Sequence, residues 1–199
     1  LRTLLREVSH RSKNLLAIIQ AIATQTGRYS SGIETFLERF RGRLQSLASS
    51  QDLVTSSNWR GAMLSELVDG QVNRFLTDSG NEVRFDGNDV YLNPNAALHI
   101  GLALHELVVN SLSHGALSKP NGRVILTSQI EKTNGEAAPS LILQWGEETD
   151  AREMREERRF GSVALERVVP LSLDGKAQLS VGDKRLDYRL VVPAANFES

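Results

Sequence analysis

The chain has no cysteine, two methionines, five prolines and only 6% aromatic residues. Without cysteine there is no disulfide, no thiolate zinc or iron–sulfur site and no thiol nucleophile, and a reducing, cytoplasmic compartment fits. Charge of one sign is also missing: 23 Lys+Arg against 24 Asp+Glu leave a net charge of -1. The basic residues are scattered, so no field is available to hold a polyanion, which argues against nucleic acid as a partner. No uninterrupted apolar run approaches the ~18 residues of a membrane span, and Leu1-Arg2-Thr3 carries neither an initiator Met nor a signal-peptide pattern. These absences predict an excised soluble fragment with no membrane segment. What is present is a hydrophobic share of 40% in 199 residues, enough for a packed core in one domain or two small ones.

Apolar periodicity divides the chain. Leu4, Leu5, Val8, Leu15, Ile18, Ile19 and Ile22 recur at three- and four-residue steps and predict an amphipathic helix over Leu1 to Gln25. Gly27 and Ser30-Ser31-Gly32 end it. Phe36, Leu37, Phe40, Leu44, Leu47 and Leu53 repeat the pattern over Ile33 to Val54, so an antiparallel helical hairpin is expected. A two-helix hairpin cannot bury both stripes alone, and pairing with a second copy in a four-helix bundle is the simplest remedy. After the polar Thr55-Ser56-Ser57-Asn58 the chain changes character, which predicts a hairpin domain over 1–57 and a second domain over 58–199. In the second domain, helices are expected over Met63 to Asp78, Pro94 to Leu117 and Gly161 to Leu171. Strands are expected at Val83–Phe85 and Val90–Leu92, joined by a tight turn at Asp86-Gly87-Asn88-Asp89, and at Arg123–Glu131, Leu141–Glu147, Ala177–Val181 and Tyr188–Val192. This order predicts an α+β sandwich with helices on one face of a mixed sheet.

Three constellations carry chemistry. His10 and Asn14 stand four residues apart on one helix face, with Glu7 three residues before the histidine. A neutral imidazole nitrogen there can accept a phosphoryl group while a carboxylate takes its proton, although a lone helical histidine is also an ordinary surface residue. Glu106 and Asn110 repeat the four-residue spacing; a carboxylate and an amide can hold hydrated Mg2+ through oxygen, or form a solvated polar stripe. Trp145-Gly146-Glu147 ends a strand, and Phe160-Gly161-Ser162 opens a helix whose backbone N–H groups can meet phosphate or simply be capped.

In this order the three resemble the HWE group of bacterial sensor histidine kinases, relatives of the HisKA_2 class. His10-Arg11-Ser12-Lys13-Asn14 is similar to the group's H-R-x-x-N phosphoacceptor box. Leu104 to Asn110 with His114-Gly115-Ala116-Leu117 resembles its N box, and Trp145-x-Glu147 its W-x-E pair. Gln20-Ala21-Ile22-Ala23, Phe40-x-Gly42-Arg43-Leu44-x-x-Leu47-Ala48, Asp52-Leu53 and Trp59-Arg60-Gly61-Ala62 resemble the dimerisation hairpin and linker, and Phe160-Gly161-Ser162 with Leu165-Glu166-Arg167 the last nucleotide segment. The resemblance implies a homodimeric helical hairpin joined to a GHKL-type ATP-binding sandwich. It implies autophosphorylation of His10 from ATP with Mg2+, and transfer to an aspartate on a response regulator receiver domain. It further implies roles for Asn110 as Mg2+ ligand, for Glu106 in handling water or a proton near the metal, and for Trp145, Glu147, Gly161 and Ser162 bordering the nucleotide. Asn14, with its amide one turn from His10, would orient water for dephosphorylating the regulator or position the His10 ring.

The pattern is broken at the glycines. Glu148-Thr149-Asp150 stands where the group carries Gly-Gly-Pro, Arg159 replaces the first Gly of G-F-G-S, and Ser113 stands in place of a Lys. Added carboxylates and a lost lysine disfavour a polyanionic nucleotide. An alternative expectation is therefore a degenerate kinase, with impaired ATP binding, that acts on the regulator as phosphotransferase, phosphatase or binding partner.

Overall fold

The computed structural model describes residues 2–76, 80–132, 138–148, 159–182 and 184–199. It separates into two compact units, 1–45 and 46–199. In the first, helix α1 (Arg2–Arg28) and the opening turns of α2 (Ile33–Ser56) form the expected hairpin. Phe36 and Phe40 stack at 5.4 Å between centroids, one helical turn apart. The loop is tied by Arg39, whose guanidinium donates to the Tyr29 carbonyl at 3.1 Å. Buried Arg43 donates to Thr26 Oγ1 at 3.4 Å. The hairpin leaves Leu16 59%, Ile33 69% and Leu37 47% exposed, large apolar residues at the surface.

The second unit begins inside α2, at Ser46, whereas the sequence pattern places the boundary at 57/58. The reason lies in a buried polar clasp. Helix α3 (Leu64–Gln71) ends in Gln71, fully buried, whose side-chain amide donates to the Ser46 carbonyl at 2.8 Å and to Ser50 Oγ at 3.0 Å. Val54, a turn beyond Ser50, joins the core of this unit. The last turns of α2 thus pack with the residues that follow them. The helix expected over 63–78 stops at Gln71 and passes into a 3-10 turn at Asn73–Phe75.

A five-stranded sheet of order β2-β4-β5-β7-β6 backs the unit: β2 (Glu82–Gly87), β4 (Arg123–Glu131), β5 (Ser140–Glu148), β6 (Lys176–Val181) and β7 (Arg185–Val192). Only β2 and β4 are parallel; their connection passes through α4 (Pro94–His114), as a parallel pair requires a crossover. The tight hairpin expected at 86–89 is not formed. β3 (Tyr91–Leu92) instead pairs with β1 (Ala62–Met63) and β8 (Phe197–Glu198) in a separate small antiparallel sheet. The Asp-Gly signal marks the end of an extended strand rather than a reversal, because Val90 and Leu92 are buried only by turning to that second sheet.

Strand residues alternate faces. Val124, Leu126, Leu143, Trp145, Tyr188 and Leu190 point inward to meet Ile100, Leu104, Leu107 and Val108 of α4, while Arg84, Ile125, Gln144 and Arg189 stay outside the core. This is the helices-on-one-face arrangement that the sequence predicts. α4 starts at Asn93, whose side chain accepts from Ala96 N at 2.8 Å, with Pro94 in the first turn where a missing N–H costs nothing. Among the described residues it is the one helix long and apolar enough to cross a membrane, with mean hydropathy 1.2, and 72% of that stretch is buried in the protein, as befits a core helix. After β5 the chain returns through α5 (Arg159–Val163), a π-helical segment (Ala164–Val168) and α6 (Val169–Ser172), laid end to end.

The clasp makes a stability prediction. A Cβ built on Gly101 of α4 would lie 2.1 Å from Ser50 Oγ. Gly101→Ala is expected to cost about 1–3 kcal/mol by overpacking, and clearly less in a Ser50→Ala background where the colliding oxygen is gone. Urea unfolding of the four proteins of that cycle measures the coupling, and additive effects would refute the close approach of Gly101 to Ser50.

Candidate active site

The most constrained region is where the end of α4 meets β5. Glu147 is 2% exposed, and one of its carboxylate oxygens, Oε2, accepts from the Ser111 hydroxyl and from the Ala116 backbone N–H at 3.0 Å. Ser111 Oγ in turn accepts from Leu117 N at 3.2 Å. Together they hold the turn His114-Gly115-Ala116-Leu117 against the strand. Gly115 is the residue that permits this approach, since a Cβ there would come within 2.5 Å of Glu147 Oε2. The Trp145 indole N–H lies near enough to favour the charged carboxylate but makes no hydrogen bond within normal limits. Trp145 Nε1 and Glu147 Oε1 are therefore both buried without a partner, two polar atoms with capacity to spare. Burial pushes the Glu147 carboxyl above its ordinary value, with the bonds from Ser111 and Ala116 pulling part of the way back.

Asn110 sits half-buried near the end of α4, directly before Ser111 and four residues after Glu106 on the same helix face. Glu106 itself is buried. The N-terminal turn of α5 comes down on Asn110: a Cβ on Gly161 would lie 2.8 Å from Asn110 Nδ2. The fold thus brings Asn110 and Gly161 together, with Ser162 next in the same helix. Among the described residues no group of three or more His, Asp or Glu side chains could hold a metal. Asn110 would serve Mg2+ as a single oxygen ligand alongside phosphate and water, the usual manner for this ion.

The other expected residues are distributed as follows. His10 and Asn14 are both exposed on α1. The side chain of Glu7 lies outside the described residues, as do Thr149, Asp150 and the charged stretch Arg152 to Arg158. Glu148 is described, and it projects from the opposite face of β5 to Glu147. Its ladder partner there is Arg185, whose guanidinium is also paired with Asp187 at 2.7 Å. The Glu148 carboxylate therefore faces away from Asn110 and toward a cation. His99 is a core histidine, bonded through Nδ1 to the Asn95 carbonyl at 2.9 Å and shifted by burial toward its neutral form.

Ser111 is a site residue that sequence reasoning missed. A serine inside a helix gives no signal beyond its four-residue distance from Leu107 and its place directly after Asn110; only the fold shows it reaching β5.

Because the folded state raises the Glu147 pKa, the folded protein binds that proton more tightly than the unfolded chain. The Glu147 contribution is most favourable below the ordinary value of 4.5 and declines as pH rises through the folded pKa. Urea unfolding of wild type and Glu147→Gln between pH 4 and 8 should show wild type losing stability relative to the variant over that rise. A pH-independent difference would show that Glu147 is not desolvated.

Comparison with known proteins agrees with this arrangement. A family model described as HWE histidine kinase matches residues 7–89. The blue-light-activated histidine kinase of Brucella anthropi is 29% identical over 189 residues, covering 94% of this chain and 38% of that protein. The protein of the same name in Brucella ovis is 28% identical over 189 residues, with the same coverage of 94% and 38%. The chain thus spans little more than a third of the length of these curated relatives. Among solved structures, the histidine kinase domain of the Erythrobacter litoralis EL346 blue-light activated histidine kinase superposes with a TM-score of 0.58 at 14% identity, covering 90% of this chain and 96% of that one. A longer EL346 chain gives 0.56 at 22% identity, covering 96% and 59%. At such identities the likeness speaks for the fold, a helical hairpin followed by an α/β sandwich. The order of motifs and the family match make this chain similar to HWE histidine kinases over residues 7–89, and the solved structures share its fold.

Proposed function

We propose that the chain is the transmitter core of a two-component histidine kinase: it binds Mg-ATP at the α4–β5–α5 junction, phosphorylates itself on His10 and passes the phosphoryl group to a receiver-domain aspartate. The observation that carries this reading is the pair of unpartnered buried atoms, Trp145 Nε1 and Glu147 Oε1, beside a turn held rigid by Ser111. A buried acceptor with no donor suits the exocyclic amine of an adenine, and the half-buried Asn110 amide with the first turn of α5 suits phosphate oxygens.

The chemistry then balances simply. An imidazole nitrogen of His10 forms a bond to the γ-phosphorus as the bond to the bridging oxygen breaks, and ADP departs. The ring proton passes to a carboxylate, with Glu7 three residues upstream as the candidate acceptor. Mg2+ would neutralise charge on the phosphate oxygens. Transfer onward forms a P–O bond to the regulator carboxylate as the P–N bond breaks, and the proton returned from the carboxylate to the departing ring nitrogen restores His10. Asn14, exposed one turn away, is placed to orient the reacting groups on α1. Arg185 opposite Glu148 supports ATP binding despite the missing glycines, since the acidic residue lies across the sheet from Asn110. The location that suits this reaction is the cytoplasm, where ATP is supplied.

Wild type incubated with Mg-ATP should acquire acid-labile phosphate. His10→Ala should carry none, and Asn110→Ala should bind Mg-ATP about tenfold or more weakly by calorimetry. Label that persists on the His10 variant would overturn the assignment of the acceptor.

A homodimer is the second element of the reading. Leu16, Ile33 and Leu37 are exposed apolar residues on the hairpin, and a twofold partner offering the same surface would cover them. Sedimentation should show a species near twice 22.0 kDa, which Leu16→Glu with Leu37→Glu should shift toward the monomer. A wild-type species of monomer mass at tens of micromolar would refute it.

A further inference from the structure

The helix that presents Gly161 to Asn110 is not a regular one, and the irregularity has a complete hydrogen-bond account. Between Ala164 and Val168 the chain is π-helical, and the Val169 N–H donates to Ala164 O, five residues back. In an α-helix that N–H would have gone to Leu165 O. The next donor that could reach Leu165 O in a π-turn is residue 170, and it is proline, with no N–H to give. The Leu165 carbonyl is therefore deprived of both helical donors. Leu165, Val169 and Pro170 are all buried, so water does not replace them. An unpaired carbonyl in such a place costs free energy comparable to a lost hydrogen bond.

The missing donor comes from the sheet. Tyr188 of β7, itself buried, donates its hydroxyl to Leu165 O at 2.9 Å. Tyr188 stands directly beside Trp145 in the β5–β7 ladder. Burial also pushes its phenol well above the ordinary value, which keeps the hydroxyl proton in place as a donor.

The geometric consequence falls on the other end of the helix. A π-turn accommodates one extra residue, so everything before it is rotated by about 100° relative to an unbroken α-helix of the same sequence. The residues before it are Arg159–Val163. Gly161 meets Asn110 in this phase, so close that a Cβ on residue 161 would lie 2.8 Å from Asn110 Nδ2 and push the amide aside. One residue out of phase, Phe160 or Ser162 would stand in its place.

The geometry points to Tyr188 and Pro170 as positioning residues for the nucleotide site: by stabilising the π-turn they set the phase in which Gly161 faces Asn110. Pro170 disfavours the α register, in which its ring would clash with the Glu166 carbonyl four residues back, and Tyr188 satisfies the carbonyl that the π register leaves over. Neither touches the proposed nucleotide. The inference rests on the reading of Asn110 and Gly161 as phosphate-side residues, but its structural half can be tested without any ligand.

The experiment uses the full chain in solution. Nuclear Overhauser contact between the Gly161 α-protons and the Asn110 side-chain amide reports the phase, and calorimetry with Mg-ATP reports the site. Pro170→Ala removes the ring that an α register would press against the Glu166 carbonyl and should let the segment relax to α-helix. The Gly161–Asn110 contact should disappear and the affinity for Mg-ATP should fall about tenfold or more. Tyr188→Phe, which keeps the ring packed and removes only the donor, should weaken both readouts in the same direction. Leu171→Ala, an exposed position in the same helix, should change neither. Wild type supplies a check that needs no variant: a slowly exchanging Tyr188 hydroxyl proton with contacts to residues 165 and 169.

A contact that survives in Pro170→Ala, or a Tyr188 hydroxyl that exchanges freely in wild type, would overturn the inference. So would loss of the contact with unchanged Mg-ATP affinity. Failure of wild type to bind Mg-ATP would instead count against the proposed function, and the contact measurements would still decide whether Tyr188 and Pro170 set the phase.

Discussion

A carboxylate buried in the wall of a sheet must be given donors, and the position of nearly everything around the candidate site follows from how Glu147 obtains them. Removing a carboxylate from water costs several kcal/mol unless its oxygens are bonded. Here the donors are a helix side chain, Ser111, and a backbone N–H just past the helix end, Ala116. Both must be present at once, so the exit of the chain from α4 is determined by a strand residue distant in sequence. Gly115 lies between them because the carboxylate occupies the space a side chain would need. Asn110, directly before Ser111, inherits its place from the same anchoring. The W-x-E pair thus acts from inside the core: its side chains are buried, and the proposed ligand would meet only the capacity that Trp145 Nε1 and Glu147 Oε1 leave unused.

The inner face of the sheet positions both helices of the site by the same device, a polar group rising from an otherwise apolar surface. Glu147 on β5 holds the end of α4, and Tyr188 on β7 holds the π-helical stretch after α5. Each satisfies helix backbone that the helix cannot satisfy for itself. Apolar packing alone fixes helix position loosely in rotation, whereas a hydrogen bond to one particular carbonyl or N–H selects a single register. Strand alternation then decides what the neighbouring acid does. Glu148, one residue on, is turned to the far side and meets Arg185, so an acidic residue in a glycine's place does not bring negative charge to Asn110.

Much of this was legible in the sequence wherever the signal was periodic. The two long amphipathic helices, the apolar α4 behind its Asn-Pro start and the alternating strands of the large sheet all follow from spacing alone. Three features did not follow, each because a distant partner overrides a local cue. The Asp-Gly at 86–87 reads as a turn, but β2 pairs with β4 and β3 with β1 and β8. The polar break at 55–58 reads as a domain boundary, but Gln71 draws the end of α2 into the second unit from Ser46 onward. The segment after Gly161 reads as a plain helix, although Pro170 within it was the visible warning of a disturbed ladder. Among the candidate residues, the pairs His10 with Asn14 and Glu106 with Asn110 stand out in the sequence because helical spacing pairs residues four apart. Ser111 and Tyr188 were not, since each acts through one long-range bond that leaves no pattern in a single sequence.

The proposed chemistry asks opposite things of the two units, and their residues divide accordingly. A phosphoryl acceptor that meets a nucleotide and then a second protein must be open to both, and His10 and Asn14 are exposed on α1. A site that stabilises charge on phosphate gains from exclusion of water, because fixed dipoles act more strongly where the dielectric is low and need no reorganisation as the charge shifts. Glu106, Ser111, Trp145 and Glu147 are accordingly buried, and the donors and acceptors among them are fixed before any ligand arrives. Such preorganisation is seen at Glu147, where the bonds from Ser111 and Ala116 to Oε2 fix the direction in which Oε1 can accept.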